Sequence, residues 1–119
     1  MDIQRHGTTR RYSDFVCHAG TVYLVEVPPD PTADIRTQTR ETLASLERLL
    51  AQAGSDKSRL LLATLYLRDM ADYEAMNEVW DAWLPAGTAP ARACVQAKLA
   101  HPDYRVEIVL IAAQNRQPA

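Results

Sequence analysis

Two charged side chains sit inside apolar stretches of this 119-residue chain and are its first candidates for chemistry. Arg92 lies in Ala-Pro-Ala-Arg-Ala-Cys-Val, and Glu107 in Val-Glu-Ile-Val-Leu-Ile. A planar guanidinium holds a carboxylate through two parallel hydrogen bonds, and a carboxylate in a semi-enclosed site can hold a water and move its proton. The residue types alone leave the roles open. Arg92 serves equally well as a structural partner of Glu107 or of a helix end, and Glu107 alternates with apolar neighbours as a strand's outward residue does. Cys94 stands two residues beyond Arg92, on the same side of a strand. His6, His18 and His101 are scattered over a terminus, a hairpin and a turn, and no pair has metal-ligand spacing. Cys17 and Cys94 lie in apolar segments outside any Cys-x-x-Cys arrangement and read as buried thiols. There is no Gly-rich phosphate loop and no Ser-His-Asp constellation, and with no metal-ligand spacing a metal is not expected.

The elements that must position these residues follow from turn signals and periodicity. Phe15 to Ala19 and Val22 to Val27 read as two strands around a tight turn at Gly20. Val22 to Val25 are apolar on both faces, as in a strand covered on each side, and Pro28-Pro29-Asp30-Pro31 stops it. From Asp34, the positions Ile35, Thr39, Leu43, Leu46, Leu49, Leu50 and Ala53 recur at helical spacing, with Thr32 or Asp34 as cap and Gly54 as terminator. Ser58 to Arg68 is a Leu-rich run whose length favours a buried strand. Asp69-Met-Ala-Asp72 opens a second helix with Met76, Val79, Trp80 and Trp83 inward. After the Pro85–Pro90 loop come strands over Ala91 to Leu99 and Tyr104 to Ala113, joined by His101-Pro102-Asp103. The order β-β-α-β-α-β-β predicts an α+β sandwich: a mixed sheet with two helices on one face. The other face, still apolar, needs a partner, so an oligomer is expected.

Composition sets the bounds. The length fits one domain over residues 1–119, and 47% apolar with 24% charged residues is ordinary globular content. A net charge of −2 argues against a general nucleic-acid binder. The basic Arg5, Arg10 and Arg11 read as a solvated terminus. No segment has the length of a membrane span or the apolar core of a secretory signal, so the cytoplasm is the expected location.

Three segments in order carry a family resemblance. Asp69-Met-Ala-Asp-Tyr-Glu-Ala-Met-Asn77 resembles the aspartate-opened second helix of the Rid (YjgF-like) family, with its asparagine in the second turn. Ala89-Pro-Ala-Arg-Ala-Cys-Val95 is similar to that family's Pro-x-Arg-x-x-Val signature. Val106-Glu-Ile-Val-Leu-Ile-Ala-Ala113 looks like its closing strand. The stretch from Arg11 to Pro28 and Trp80-Asp-Ala-Trp83 further resemble the bacterial YoaB-like branch. The resemblance implies a chorismate-mutase-like fold, a homotrimer with clefts between subunits, and hydrolysis of reactive enamines and imines such as 2-aminoacrylate to 2-keto acids and ammonia. It implies that Arg92 binds the substrate carboxylate, that Glu107 is the cleft glutamate, and that Tyr12 is a cleft tyrosine. No cofactor is expected for the imine chemistry that the resemblance implies.

One departure accompanies the match. Where archetypal members carry Ser-Gly at the end of the second strand, this chain has Leu24-Val25-Glu26. Val25 offers no hydroxyl there, and a Glu26 carboxylate turned into the cleft would pair with Arg92 and compete with an anionic substrate. Val25, Glu26 and Cys94 therefore join Arg92 and Tyr12 as candidate substrate-binding residues. Three readings stand: a deaminase with Arg92 and Glu107 as catalytic pair, a non-catalytic ligand-binding or chaperone-like trimer, and an endoribonuclease or translation inhibitor, which the acidic balance disfavours.

Overall fold

Ala19 and Gly20 both take positive φ, 52° and 81°, which closes the two-residue turn that matches the twist of a hairpin. It joins β2 (Phe15–His18) to β3 (Thr21–Glu26), paired antiparallel from Phe15↔Leu24 to His18↔Thr21. Ala19, expected as a strand residue, is thus the first turn residue, and it carries the left-handed strain of an L side chain there. Ala19→Asn is expected to relieve that strain and raise the thermal midpoint by about 2–5 °C in a calorimetric scan.

The computed structural model describes residues 2–115; Met1 and residues 116–119 of the expected domain lie outside the described residues. It adds an element that the periodicity did not announce. Gln4–His6, read as solvated terminus, forms β1, antiparallel to β2 with His6 opposite Phe15. The three residues are polar and exposed, so no alternation marks them; the His6 and Phe15 rings stack at 4.7 Å. Gly7 turns out of β1 at φ 65°, a backbone conformation that favours glycine, and a Cβ there would press on the Asp14 side chain.

The first helix, α1 (Ile35–Gln52), is capped by Asp34, whose carboxylate accepts from the Thr37 N–H at 2.8 Å. Of the two candidate caps, Thr32 instead donates to Asp30. A Schellman motif ends the helix, with Ser55 N–H on the Leu50 carbonyl and Gly54 N–H on that of Ala51. Leu43, Leu46 and Leu50 are fully buried, each worth about 1.5–3 kcal/mol of burial. Buried Thr39 and Thr42 donate to the Ile35 and Gln38 carbonyls, so no hydroxyl is stranded.

After a single 3₁₀ turn at Lys57–Arg59 comes β4 (Leu60–Leu67). Leu60 and Ala63 both face the helices although three residues apart, because the register slips between Leu60 and Leu62 and leaves Leu61 in a bulge. That bulge blurs the alternation of the Leu-rich run. Asp69 caps a second 3₁₀ turn, Met70–Asp72, and α2 (Tyr73–Trp83) follows. The last strands, β5 (Ala91–Gln96) and β6 (Val106–Ala113), are shorter than expected at Leu99 and Tyr104, because residues 97–105 turn and pair irregularly.

The sheet order is β1-β2-β3-β6-β4-β5, antiparallel except for the β4–β5 pair. Both helices lie on one face, so the expected α+β class and two-layer arrangement hold. Val22, Leu24, Ala63, Leu65, Leu67, Val106, Ile108 and Leu110 meet Leu43, Leu46, Leu50, Met76 and Trp80 in one core. The opposite face has no second layer among the described residues: Tyr23 and Val25 are 43% and 44% exposed, beside exposed Leu62 and Val95. The two-sided cover read from Val22 to Val25 is therefore half supplied. No helix among the described residues is long and apolar enough to cross a membrane.

Candidate functional site

Strand parity decides where the candidate residues point. Arg92 lies opposite Ala63, which is fully buried under the helices, so the guanidinium projects to the helix-covered side of edge strand β5. There it meets α2. Tyr73, Asn77 and Trp80 recur at spacings of four and three, which places them on one helical face. The guanidinium carbon sits 5.5 Å from the Trp80 ring centre and 5.9 Å from that of Tyr73, and Nη2 donates to the Tyr73 hydroxyl at 3.3 Å. Two aromatic faces attract the cation without neutralising it.

No carboxylate forms an ion pair with Arg92 among the described residues. Glu74 and Asp81 stand on the wall of the same cavity, about 310 Å³ in volume, together with Asn77, Trp80, Ala89 and Pro90. Asn77 contributes a second open valence: its Oδ1 is the one buried side-chain oxygen or nitrogen among the described residues with no hydrogen-bond partner. A half-buried cation lacking a counterion, beside a buried acceptor lacking a donor, suits a ligand with a carboxylate and an N–H or O–H group. Cys94 shares the face of Arg92 and packs against the core. Burial pushes its thiol above the ordinary range, and the Arg92 charge opposes that only in part, so the group stays protonated and is a poor nucleophile at neutral pH.

A second set gathers elsewhere. Tyr12, 64% exposed in the β1–β2 loop, joins Ser13, Asp14, Val25, Glu26, Val27, Ala100 and Tyr104 around a cavity of about 550 Å³. The expected competition between Glu26 and Arg92 does not occur within the chain. Strands β6 and β4 separate β3 from β5, about 14 Å of sheet. The Glu26 carboxylate instead accepts from the Ser45 hydroxyl of α1 at 2.5 Å.

Glu107 lines neither cavity. It alternates with fully buried Val106 and Ile108 and lies opposite Tyr66, so it projects from the open face. Arg92 and Glu107 therefore lie on opposite faces of one sheet, with β4 between their strands. One chain brings Arg92 to Asn77 and Cys94, and Tyr12 to Val25 and Glu26, but does not unite them with Glu107. Trp80 and Tyr73, which seat the guanidinium, are candidate site residues that the sequence assigned to packing or left without a role. Their heptad spacing around Asn77 was the available signal. No group of three or more His, Cys, Asp or Glu able to hold a metal is present among the described residues.

Comparison with known proteins covers nearly the whole chain. Residues 3–114 match the model of the family described as Endoribonuclease L-PSP. The chain is 47% identical over 113 residues to the RutC family protein YoaB of Escherichia coli, across 95% of this chain and 99% of that one. It superposes on the crystal structure of a YjgF family member from Neisseria meningitidis with a TM-score of 0.95, at 49% identity and 98% coverage of both chains. A 3-aminoacrylate deaminase RutC from Acinetobacter baylyi is 38% identical over 79 residues, 66% of this chain and 62% of that one.

Proposed function

Since the chain belongs to the Endoribonuclease L-PSP family, that of the YjgF and Rid proteins, we propose that it is a cofactor-independent enamine/imine deaminase acting on small 2-imino acids. The observation that carries this reading is the unpaired Arg92 guanidinium on its aromatic seat, beside the orphan Asn77 acceptor. A 2-imino acid matches both, with its carboxylate on Arg92 and its N–H on Asn77 Oδ1. The deaminase name of the Acinetobacter relative supports the same chemistry.

The reaction in this reading is hydrolysis. An enamine first tautomerises to its imine. Water then adds to the C2 carbon while Glu107 takes one of its protons and passes it to the imine nitrogen, giving a carbinolamine. Glu107 next takes the hydroxyl proton as the keto group forms, and the nitrogen receives that proton as the C–N bond breaks, so the products are a 2-keto acid and ammonia. The imine is already electrophilic, so positioning and one acid-base carboxylate suffice.

Glu107 reaches this site only from a second copy, because its own chain holds it on the opposite face. In the proposed homotrimer, the open sheet faces with Tyr23, Val25 and Leu62 turn toward one another, and each cleft lies between two subunits. Arg92, Cys94 and Asn77 come from one copy, and Glu107, Tyr12, Val25 and Glu26 from its neighbour. The expected location is the cytoplasm.

The test is keto-acid release from serine by a PLP-dependent dehydratase, which passes through 2-aminoacrylate. Added protein is expected to speed release above the spontaneous rate, and equal rates with and without it contradict the activity. A non-catalytic trimer that binds small carboxylates uses the same anchor, and Glu26 favours it by placing a carboxylate at the end of β3. In that case 2-ketobutyrate binds with no acceleration of hydrolysis. The net charge of −2 disfavours the ribonuclease reading.

A further inference from the structure

We infer that Glu26 is a specificity determinant, and that the cavity of Tyr12, Val25, Glu26 and Tyr104 receives a substrate side chain ending in a cation. The inference rests on the deaminase reading and names the class of 2-imino acid that the site takes: one with a basic side chain, such as a guanidinium.

Three features of the cavity converge. The first is size. At about 550 Å³ it falls within the range of small-molecule sites, far more than the few heavy atoms of 2-aminoacrylate fill. The second is its wall. Val25, Val27 and Ala100 with the rings of Tyr12 and Tyr104 give an apolar and aromatic lining, suited to a methylene chain and to the face-on approach of a cation.

The third is charge. Glu26 and Asp14 are the charged residues lining the cavity, and neither forms an ion pair among the described residues. The Glu26 carboxylate has one protein partner, the Ser45 hydroxyl at 2.5 Å. A carboxylate offers about four acceptor positions, so most remain for a ligand, and the Ser45 bond fixes the side chain in advance. An anionic side chain meets two like charges here, and a neutral one leaves the Glu26 charge without a counterion. A guanidinium at the end of a short methylene chain satisfies it bidentately. Arg92 at one end and Glu26 at the other then read a zwitterion of opposite polarity.

The imino acids of arginine and citrulline test this directly, because they match in length and shape and differ in charge. Each is generated in place by an amino-acid oxidase, and keto-acid release above the spontaneous rate gives kcat/KM. Wild-type protein is expected to favour the arginine-derived imine by about ten-fold or more. Glu26→Gln keeps the acceptor for Ser45 and removes the charge, and should bring the ratio close to one. The folded fraction cancels in a ratio, so a stability loss does not imitate the result. Equal wild-type rates, or a ratio unchanged in Glu26→Gln, overturns the inference and leaves the deaminase reading in place. Hydrolysis of 2-aminoacrylate but of neither longer imine also overturns it alone. No acceleration on any of the three overturns both.

Discussion

Arg92→Ala is expected to lower kcat/KM on 2-aminoacrylate by roughly a hundred- to a thousand-fold, the equivalent of about 3–4 kcal/mol for a charge-assisted bidentate anchor in a desolvated cleft. The loss should exceed what stability explains. Arg92 is half-buried on an edge strand with no counterion among the described residues, so alanine removes two cation–π contacts but also the cost of keeping an unpaired charge from water. The thermal midpoint is therefore expected to move by only a few degrees. Arg92→Lys should recover little. An ammonium cannot form the two parallel bonds, nor lie flat on the Trp80 ring at the 5.5 Å that the guanidinium keeps. Steady-state kinetics with calorimetry on the same samples checks both halves. A thousand-fold loss accompanied by unfolding assigns Arg92 to structure and not to the substrate.

The largest stability effect is expected at Gln38. Its side chain is 1% exposed and fully used. The two Nε2 hydrogens are shared among the carbonyls of Pro31, Ala33 and Asp103 at 3.0–3.2 Å, and Oε1 accepts from Arg105 N–H at 2.8 Å. One amide thus ties the segment before α1 to the turn before β6. Gln38→Leu keeps most of the volume and strands those backbone groups, at a cost of about 2–4 kcal/mol. That corresponds to a fall in thermal midpoint of roughly 10 °C or more. Gln38→Glu is a sharper control, because it keeps the acceptor for Arg105 and loses the donors. A loss below about 0.5 kcal/mol in Gln38→Leu contradicts the role of the amide as a tie between the two loops.

Much of this was legible from residue order, for physical reasons particular to each element. The helix α1 announced itself because Leu43, Leu46 and Leu50 keep a strict inward stripe and Asp34 and Gly54 bracket it. β6 was legible because Val106, Ile108, Leu110 and Ala112 alternate under the helices. β1 was hidden because an exposed edge strand of Gln-Arg-His buries nothing and so leaves no pattern. The bulge at Leu61 hid the alternation of β4 by placing Leu60 and Ala63 on one face.

The site was legible as residue types and not as geometry. Arg92 and Glu107 could be picked out, but period-two parity, which sends them to opposite faces, depends on strand bounds that sequence places only to within a few residues. The partner of Glu26 was equally out of reach, since Ser45 lies a whole helix away along the chain and meets it only through packing. Asn77 was visible as a motif residue. That its Oδ1 is buried and unpaired is a fact of tertiary structure alone.

The opposite placement of Arg92 and Glu107 leads to the central claim, that each catalytic centre is shared between two copies. Subunit mixing tests it most directly. Arg92→Ala and Glu107→Gln proteins, each inactive alone, are unfolded together in equal amounts and refolded. In a trimer with three shared clefts, random assembly pairs an intact Arg92 with an intact neighbouring Glu107 in about one cleft in four, so roughly a quarter of wild-type activity should return. A mixture no more active than its separate components, or Glu107→Gln retaining full rate by itself, contradicts the shared site.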